Sequence, residues 1–345
     1  MSLHIVHAVR SDRFAGVEQL IRRLAIAQAR AGNQVSVIGG APDAMFDSLD
    51  RAGVSFTPAS STLDVIRALL TIDRSVDVVN THMTAADGAA TLVFGSKRHR
   101  PAWVSTRHFA QKRARLRPLG RLIEAHVDAE IAISRTVATT IGVTSTVVYP
   151  GVDPVAPPPS ALRDRVVLMA QRLQPEKHTE IGLDAFACSG LASNGWTLAI
   201  AGDGPDMHSL VGRTRELGIE GSVAFLGFRD DIPALMAKSS MLLASCPFEH
   251  LGLTVLEAMA ASLPPVAADA AGHTELLSGL DPRALFPPQD VPRASESLRA
   301  LASNPTAREA LAESARSRQV AQFSLSTQEL KTGEVYHRAI EMRNR

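Results

Sequence analysis

Short apolar runs alternate with longer amphipathic stretches along the whole chain. Each run is long enough for one buried strand, and the stretches between runs carry apolar residues three or four positions apart, as helices do. In the first half the runs predict strands at residues 3–9, 34–38, 76–80, 102–105, 129–133 and 146–148. Strands that alternate with helices at this spacing predict right-handed βαβ units, and therefore a parallel sheet with helices on its faces.

A proline-rich segment at residues 150–160, PGVDPVAPPPS, divides the chain. Repeated prolines keep such a segment extended and semi-rigid, as expected of a hinge between domains. The alternation then resumes, with strands predicted at 166–170, 196–201, 223–226 and 241–244, and helices at 181–187, 207–217 and 232–238. Past residue 292 the chain is predicted to be helical. The fold class is therefore α/β, with two Rossmann-like domains at residues 1–157 and 158–324.

The composition is that of a globular protein. Of 345 residues, 21% are charged and 45% are hydrophobic, and no apolar run is as long as a membrane span. No signal peptide is recognised ahead of the first strand. Cys188 and Cys246 are too far apart for a Cys-x-x-Cys metal site and provide no disulfide framework. We therefore predict a cytoplasmic protein, either free or peripheral at the inner face of the membrane.

The net charge of +1 conceals an uneven distribution. Residues 1–157 contain 18 Lys and Arg against 13 Asp and Glu, whereas the rest of the chain contains 18 against 22. Nine of the basic residues lie in the segment 97–121, which has no acidic residue. The closest spacing there is at Lys112, Arg113, Arg115 and Arg117. Two interpretations are open: a solvated charged face, or a surface that meets phosphate groups of an acceptor or of an anionic leaflet. Aromatic residues are too sparse for a nucleic-acid platform.

The stretch that follows the strand 241–244 predicts a ligand site. A loop containing Glu249 leads into a helix that begins at Gly252 and carries Glu257 one to two turns inside. Such a helix end presents N–H groups without intrahelical partners and favours an anion such as phosphate. In this chain those groups belong to Gly252, Leu253 and Thr254. Two carboxylates beside a diphosphate are the outline of a nucleotide-sugar site, although Glu249 and Glu257 are also open to interpretation as ordinary solvated charges.

Other polar residues stand at the predicted carboxyl ends of strands, the edge at which open α/β sheets bind ligands. Arg172 and Lys177 follow the first strand of the second half, five residues apart, and together suit two neighbouring phosphates. His108 follows the strand 102–105, and a histidine there is either structural or catalytic. The loop after the first strand lacks Gly-x-Gly-x-x-Gly, but Gly16 allows a backbone to approach a ligand closely.

Nine segments, taken in order, resemble family 4 of the retaining glycosyltransferases. Those of the second half are AQRLQPEKHTEIGLDAF (170–186), AGDGP (201–205), FLGFRDDIPALM (225–236), FEHLGLTVLEAMAA (248–261) and AGHTELL (271–277). The first, fourth and fifth are similar to the family's Gly-Arg-Leu-x-x-x-Lys-Gly, Glu-x7-Glu and Gly-Gly-x-x-Glu segments. Those of the first half are AGVEQLIRRLA (15–25), DVVNTH (77–82), STRHF (105–109) and VVYPGVD (147–153). Together they span nearly the whole chain.

This resemblance implies the GT-B fold: two Rossmann-like domains that face each other across a cleft, with the last helix, at about 325–345, crossing back to the first domain. The implied reaction is the retaining transfer of a hexosyl-type group from a UDP- or GDP-linked sugar to an acceptor hydroxyl. No cofactor is implied beyond the nucleotide-sugar substrate.

The resemblance assigns most donor contacts to the second domain. The diphosphate would be bound by Arg172 and Lys177, which would also act in catalysis. The distal phosphate would be bound by backbone N–H groups of Gly252, Leu253 and Thr254. The remaining contacts would come from Glu257 to the ribose hydroxyls, Glu249 to the transferred sugar and Arg229 to the base.

The first domain would contribute fewer residues. Gly16 would let this domain close on the diphosphate, and His108 would sit by the sugar and the acceptor as a catalytic residue. The basic segment lies around and after the strand that leads to His108, so Lys112 and Arg113 are expected near the point where an acceptor enters, on the acceptor side.

The chain departs from the family pattern at several glycines. Gln171, His178 and His250 stand where the family has Gly, and Ala15 and Ala271 each replace one Gly of a pair. No Asp-x-Asp triplet occurs, so no metal ion is expected. The charge of the leaving group would instead be neutralised by Arg172, Lys177 and the helix end.

Other functions fit the residues less well. A glycosidase also uses two carboxylates, but Glu257 beside an anion site suits ribose better than a scissile bond. A sugar-nucleotide 2-epimerase shares the architecture, but would lack these cation and carboxylate segments in this form. A non-catalytic binding protein has no need of two cations at a helix end. The acceptor stays open between a lipid-linked or cell-surface glycan precursor and a small soluble molecule.

Overall fold

The computed structural model describes residues 2–95, 99–113, 118–155 and 163–344. The chain divides into two compact units: unit 1, residues 1–151 with 323–345, and unit 2, residues 152–322. The divisions expected from the sequence were at 157–158 and 324–325. The predicted hinge at 150–160 is described only as far as Val155, whose N–H donates to the carbonyl of Ala260 (3.2 Å).

The described part of unit 1 contains a parallel sheet of seven strands. These are β1 (His4–Val9), β2 (Gln34–Ile38), β3 (Ser55–Thr57), β4 (Val78–His82), β5 (Ala102–Arg107), β6 (Ala129–Ala132) and β7 (Thr146–Val147). Their order is β3-β2-β1-β4-β5-β6-β7, so the winding reverses between β1 and β4. The predicted strands are confirmed, whereas β3 was missed because three residues give no apolar run.

Helices follow the strands of unit 1. They are α1 (Gly16–Arg30), α2 (Pro42–Asp50), α3 (Thr62–Leu70), α4 (Met83–Phe94), α5 (Leu119–His126) and α6 (Arg135–Ile141). A capping box begins α3: the Ser61 hydroxyl accepts from the Asp64 N–H (3.2 Å), and the Asp64 carboxylate accepts from the Ser61 N–H (3.0 Å). Gly142 ends α6 in the left-handed conformation that only glycine adopts without cost.

Unit 2 repeats this architecture around six parallel strands among its described residues. These are β8 (Val166–Ala170), β9 (Thr197–Ala201), β10 (Val223–Gly227), β11 (Met241–Ala244), β12 (Pro265–Ala268) and β13 (Leu285–Phe286), in the order β10-β9-β8-β11-β12-β13. The helices are α7 (Thr179–Ser189), α8 (Met207–Glu216), α9 (Ile232–Lys238), α10 (Leu253–Ala260), α11 (Gly272–Leu277), α12 (Val291–Ser303) and α13 (Pro305–Gln322). Two doubly wound parallel sheets confirm the predicted α/β class.

The last helix, α14 (Leu325–Arg343), belongs to unit 1 although the chain reaches it only after unit 2. Its Tyr336 is fully buried and accepts a hydrogen bond from the side-chain amide of Asn80 on β4 (2.8 Å). Gln328 accepts a hydrogen bond from the N–H of Gly151 (2.8 Å). Because these contacts are buried and specific, α14 completes one face of the unit 1 core.

Side chains of the central strands of unit 1 alternate between the two faces of the sheet. Val6, Val79 and Trp103 lie in the same core cluster as residues of α3 and α4, whereas Ile5 and Val78 pack with Tyr336 of α14. Toward the carboxyl ends of β4 and β5 buried polar side chains replace the apolar ones, notably Thr81, His82, Ser105 and Thr106. Each face therefore carries a polar layer at the edge where ligands bind in such sheets.

The polar layer on the α4 side is an ion cluster centred on Arg113. Its Nη2 donates to the Asp87 carboxylate (2.6 Å) and to the Ser105 hydroxyl (2.6 Å), and Nη1 forms a close ion pair with Glu130. Burial alone would lower the pKa of Arg113, but the charges of Asp87 and Glu130 outweigh it and raise that pKa. Arg113 is therefore a fixed internal cation.

The prediction that Arg113 lies on the acceptor side, as part of a basic surface, is wrong, because its side chain has no exposed area. Arg107 is also buried, 3.6 Å from Glu130, whereas Lys112 is exposed. The other closely spaced cations, Arg115 and Arg117, lie outside the described residues. The segment 97–121 therefore does not form one surface, because Arg107 and Arg113 are buried against carboxylates that are distant in the sequence.

Replacing Asp87 with alanine is expected to lower the free energy of unfolding by about 3 kcal/mol, because Arg113 would keep a buried charge and lose a main partner. Urea unfolding followed by circular dichroism measures the change. Asp12→Ala is the matched control: Asp12 meets Arg13 only at 4.0 Å and both are exposed, so little change is expected. Equal stability of the two variants would contradict a stabilising role for the cluster.

Candidate functional site

The winding of unit 2 reverses between β8 and β11, and the loops after these two strands lie together. Such a reversal is where open α/β sheets bind ligands. The first loop, residues 171–178, carries Lys177, and the second, residues 245–252, carries Glu249. The Ser245 hydroxyl donates to the carbonyl of Lys177 (3.2 Å), which joins the two loops.

Lys177 and Glu249 form a close ion pair through Nζ and Oε1. Their side chains are only 16% and 23% exposed. Burial alone would raise the pKa of Glu249, but the charge and hydrogen bond of Lys177 outweigh it and lower that pKa. Glu249 is therefore ionised at neutral pH, so a cation and a carboxylate able to accept hydrogen bonds from hydroxyls lie side by side.

The N-terminus of α10 follows the same loop. Gly252 precedes the helix with φ of +95°, and a Cβ there would lie 2.5 Å from Cδ2 of His273. Only glycine therefore fits this position. The Thr254 hydroxyl donates to the carbonyl of Ala170 at the end of β8 (3.1 Å), which ties the helix start to the neighbouring strand. The predicted helix start at Gly252 is confirmed, and Leu253 and Thr254 are its first residues.

A third loop packs against the second. The N–H of Gly272 donates to the carbonyl of Glu249 (2.8 Å), and a Cβ on Gly272 would lie 2.2 Å from Cα of Leu251. The residue before it, Ala271, has φ of +48°. His178, directly after Lys177, also has a positive φ, +47°. Both residues stand where the family pattern has glycine. The backbone keeps the positive φ that glycine adopts easily, and the side chains of Ala271 and His178 make that conformation strained.

The change His178→Gly is expected to raise the free energy of unfolding by about 0.5–1 kcal/mol, because relief of the left-handed backbone outweighs the greater freedom of glycine in the unfolded chain. Urea unfolding provides the measurement. The matched control is His208→Gly, on the exposed face of α8, where glycine in a helix should be destabilising instead. A loss of stability in both variants would contradict strain at His178.

Three more predicted donor residues do not join the ion pair: Arg172 in the loop after β8, Glu257 on α10, and Arg229 in the loop between β10 and α9. The exposed guanidinium of Arg172 is 3.8 Å from the Glu176 carboxylate. Arg229 makes a two-pronged contact with Asp231, Nε to Oδ1 at 2.7 Å and Nη2 to Oδ2 at 2.5 Å. Glu257 is half-buried within α10. The structure therefore joins Lys177 to Glu249, and leaves Arg172 and Arg229 held by acidic neighbours in their own loops.

In unit 1 the predicted residue His108 lies directly after β5 and ends a buried row of side chains. Its Nε2 is 3.0 Å from Nδ1 of His82, and Nε2 of His82 is 2.9 Å from Nδ1 of His7. Nε2 of His7 is 2.7 Å from Oε1 of Gln28 on α1. We call these four residues the histidine row. Burial lowers the pKa of His7 and of His108 to about 4, and that of His82 well below 6.5, so the rings are neutral at physiological pH.

The remaining first-domain residue, Gly16, is the first residue of α1, where the Glu18 carboxylate accepts a hydrogen bond from the N–H of Ala15 (2.9 Å). The sequence gave no link between His82 and His108, and His7 inside an apolar strand was missed. The available signal was a histidine in the interior of a buried strand, a position that requires a hydrogen-bond partner.

Two family models match the chain one after the other. Residues 14–155 match the model described as Glycosyltransferase Family 4, and residues 156–318 match the model described as Glycosyl transferases group 1. The chain belongs to the family 4 glycosyltransferases. The two matched ranges contain both the histidine row, apart from His7, and the Lys177–Glu249 pair.

Curated relatives of this family member align over part of its length. An exopolysaccharide phosphotransferase of Streptomyces coelicolor is 35% identical over 143 residues, which are 41% of this chain and 15% of that protein. An alpha-D-kanosaminyltransferase of Streptomyces kanamyceticus is 30% identical over 171 residues, which are 48% of this chain and 44% of that protein. These alignments therefore span less than half of either relative.

Solved structures align over nearly the whole chain. Anabaena Alr3699/HepE in complex with UDP and glucose has a TM-score of 0.79 and 22% identity, over 96% of this chain and 98% of its own. Sucrose-phosphate synthase from Thermosynechococcus elongatus has a TM-score of 0.74 and 16% identity, over 99% and 100%. These similarities confirm the GT-B fold, with two Rossmann-like domains.

Proposed function

We propose that this protein transfers a hexosyl-type group, with retention of configuration, from a UDP- or GDP-linked sugar to a hydroxyl group of an acceptor. The observation that carries the proposal is the contact between Lys177 and Glu249 beside the N-terminus of α10. A lysine next to a helix N-terminus compensates the charge of a diphosphate, and the carboxylate accepts hydrogen bonds from sugar hydroxyls. HepE, whose solved structure contains UDP and glucose, supports a nucleotide-sugar donor.

The donor contacts that we propose are those that the family resemblance implies. Lys177 binds the diphosphate, together with Arg172, whose exposed contact with Glu176 is weak enough for a phosphate to replace. Glu249 accepts hydrogen bonds from the transferred sugar. The distal phosphate is bound by the backbone N–H groups of Gly252, Leu253 and Thr254. Glu257 binds the ribose hydroxyls, and Arg229 lies beside the base.

Cleavage of the donor breaks the bond between the anomeric carbon and the phosphate oxygen, so negative charge develops on the leaving diphosphate. Lys177, Arg172 and the N-terminus of α10 stabilise that charge without rearranging, which is an effective form of catalysis. We propose that this replaces a divalent metal, in keeping with a sequence that has no Asp-x-Asp triplet. His108 contacts the saccharide as the catalytic residue supplied by unit 1.

Incubation of the full chain with UDP-glucose and with GDP-mannose, each with and without EDTA, tests the donor class. We expect release of the nucleoside diphosphate, by transfer or slow hydrolysis, at a rate that the chelator leaves unchanged, and a product with the donor's anomeric configuration. Loss of turnover with EDTA that Mg²⁺ restores would overturn metal independence. An epimerised nucleotide sugar would identify a 2-epimerase, and binding without any reaction would identify a binding protein.

For the acceptor, we propose an anionic molecule met at a membrane surface, such as a lipid-linked or cell-surface glycan precursor. Lys112 and Arg121 are exposed, and α5 also exposes Leu119 and Leu122 at 37% and 48%. Lysine or arginine near an anionic surface contributes about 1 kcal/mol each. Over the part of the chain that is described, no helix is both long and apolar enough to cross a bilayer. Contact with a membrane would then be peripheral and sensitive to salt.

Co-sedimentation with phosphatidylserine vesicles and with neutral vesicles, at low and high salt, tests the acceptor proposal. We expect binding to anionic vesicles that salt weakens, and weaker binding when Lys112 and Arg121 are both changed to serine. Lys238→Ser, at the exposed end of α9 in unit 2, serves as the control. Equal partition onto both vesicle types, or none onto either, would favour a small soluble acceptor.

A further inference from the structure

The hydrogen bonds of the histidine row all point one way along it, and the rings alone do not define which way. His7, His82 and His108 are between 0% and 5% exposed, and burial keeps each ring neutral. A neutral imidazole has one N–H and one lone pair, so each ring donates one hydrogen bond and accepts one. Such a row is polarised in one of two opposite directions, and whatever stands at its end decides which.

Gln28 stands at that end and presents an acceptor. Its Oε1 meets Nε2 of His7 at 2.7 Å, and an amide oxygen accepts without donating, so the proton of His7 is on Nε2. With Oε1 facing His7, the amide nitrogen of Gln28 is left for the Tyr336 hydroxyl, whose oxygen also accepts from the side-chain amide of Asn80 (2.8 Å).

The direction then passes from ring to ring. Nδ1 of His7 has the lone pair, so Nε2 of His82, 2.9 Å away, must carry the proton that lies between them. Nδ1 of His82 is then an acceptor, and Nε2 of His108, 3.0 Å away, must be its donor. His108 has used its only N–H within the row. Its Nδ1 therefore presents a lone pair.

That lone pair has no hydrogen-bond donor among the described residues, although Nδ1 of His108 is buried. A buried acceptor left without a donor costs about 1–3 kcal/mol, so a donor is expected there in the working protein. His82 and His108 line a cavity of about 20 Å³, with Thr106 and Gln328 on its wall. That space holds about one water molecule or one hydroxyl group.

We propose that Gln28, His7 and His82 are positioning residues that hold the His108 ring with its proton on Nε2, so that its Nδ1 accepts a hydrogen bond from a hydroxyl of the transferred sugar. The ligand in this proposal rests on the proposed glycosyl transfer, whereas the direction of the row does not. A hydroxyl that donates to Nδ1 keeps its own lone pairs for other donors. The row thereby fixes how that hydroxyl is oriented.

Long-range ¹H–¹⁵N spectra of the full chain, labelled in histidine, read the protonation of each ring nitrogen. In the ligand-free protein at pH 7.5 we expect the signals of His7, His82 and His108 to show a proton on Nε2 and none on Nδ1. The signal of His4 provides the comparison, because His4 is also on β1 but contacts Ser75 and not the row. This signal is identified by its loss in the variant His4→Gln. A proton on Nδ1 of His108 would overturn the proposal without any variant being needed.

Two variants of His82 separate positioning from packing. The change His82→Gln supplies an amide with both a donor and an acceptor in the same direction, so His108 should keep its tautomer and the enzyme its turnover of UDP-glucose. His82→Leu fills the volume but frees Nε2 of His108, so we expect mixed tautomers and a three- to tenfold lower kcat, the loss of about one hydrogen bond. Wild-type tautomers and equal kcat in both variants would show that the row only packs.

The ligand is tested with UDP-glucose against UDP, which lacks the sugar. We expect the Nδ1 signal of His108 to shift when UDP-glucose binds and to stay in place when UDP binds. The same response to both would overturn the contact with the sugar. A protein that binds neither would count against the proposed function, and the tautomers of the ligand-free protein would still decide the positioning role.

Discussion

Lys177→Ala is expected to lower kcat for the donor sugar by about 10²–10³-fold while the protein stays folded, because the proposed preorganised contact with the leaving diphosphate is lost. The lysine pairs with Glu249 in a loop rather than in the core, so packing changes little. Turnover of UDP-glucose and a thermal unfolding curve are the measurements. Lys238→Ala, an exposed lysine of unit 2, should match the wild type. A folded Lys177→Ala enzyme within a few-fold of the wild-type rate would refute the role.

Substitutions of the two carboxylates are expected to affect different halves of the donor, the sugar and the nucleotide. Glu249→Ala is expected to reduce transfer while UDP still binds, because Glu249 is proposed to contact the sugar and UDP has none. Glu257→Ala is expected to weaken binding of UDP itself, because Glu257 is proposed to contact the ribose. Calorimetric titration with UDP distinguishes them. The opposite result, with UDP lost in Glu249→Ala and kept in Glu257→Ala, would exchange the two assignments.

Acidification is expected to destabilise unit 1 steeply between pH 6.5 and about 4, the usual pKa of histidine and the lowered pKa of His7 and His108. The unfolded rings bind protons near the upper value, whereas the folded rings stay neutral until the lower one. The stabilising effect of keeping these rings buried is thus complete above pH 6.5 and is lost as the pH falls. Each ring contributes about 1.4 kcal/mol per pH unit, and His82 acts in the same direction.

Tryptophan fluorescence isolates this effect, because the chain has two tryptophans, Trp103 in unit 1 and Trp196 in unit 2. In a Trp196→Phe background, urea unfolding followed through Trp103 at pH 7, 6 and 5 gives the slope for unit 1. Above pH 5 most carboxylates are ionised in both states and add little. His108→Gln should reduce the slope of unfolding free energy against pH by the contribution of one ring, about 1.4 kcal/mol per pH unit. A stability that stays flat from pH 7 to pH 5 would mean that the rings bind protons as readily in the folded state.

Much of the fold could be predicted from the sequence because its signals are local. The apolar run at 241–244 and the start of α10 at Gly252 are each set by a few adjacent residues, and both are confirmed. Three short strands were missed: β3 and β13, which have three and two residues, and β12, which begins at Pro265 in a pair of prolines that indicates only the end of the preceding helix. The positive φ of His178 could not be predicted from the residue type alone, although the family pattern has glycine at this position.

The sites depend on contacts that no local pattern contains. The histidine row exists because β1, β4 and β5 are neighbours, and their register sets His7 beside Asn80 and His82 beside Thr106. Arg113 was placed on the surface because its neighbours in the chain are basic. Its true partners, Asp87 and Glu130, are 26 and 17 positions away. Burial of a charge is decided by such partners, so the sequence alone misplaced it.

The place of α14 in unit 1 has a consequence for synthesis of the protein. Residues 1–151 leave the ribosome first, yet the helix that covers one face of their sheet follows only after the whole of unit 2. Until Tyr336 arrives, the side chains of Asn80 and Gln28 lack that partner, and an apolar face of the nascent sheet stays open to water or to a chaperone. The unit that is translated first is thus completed last, because its core gains α14 only after unit 2 has been made.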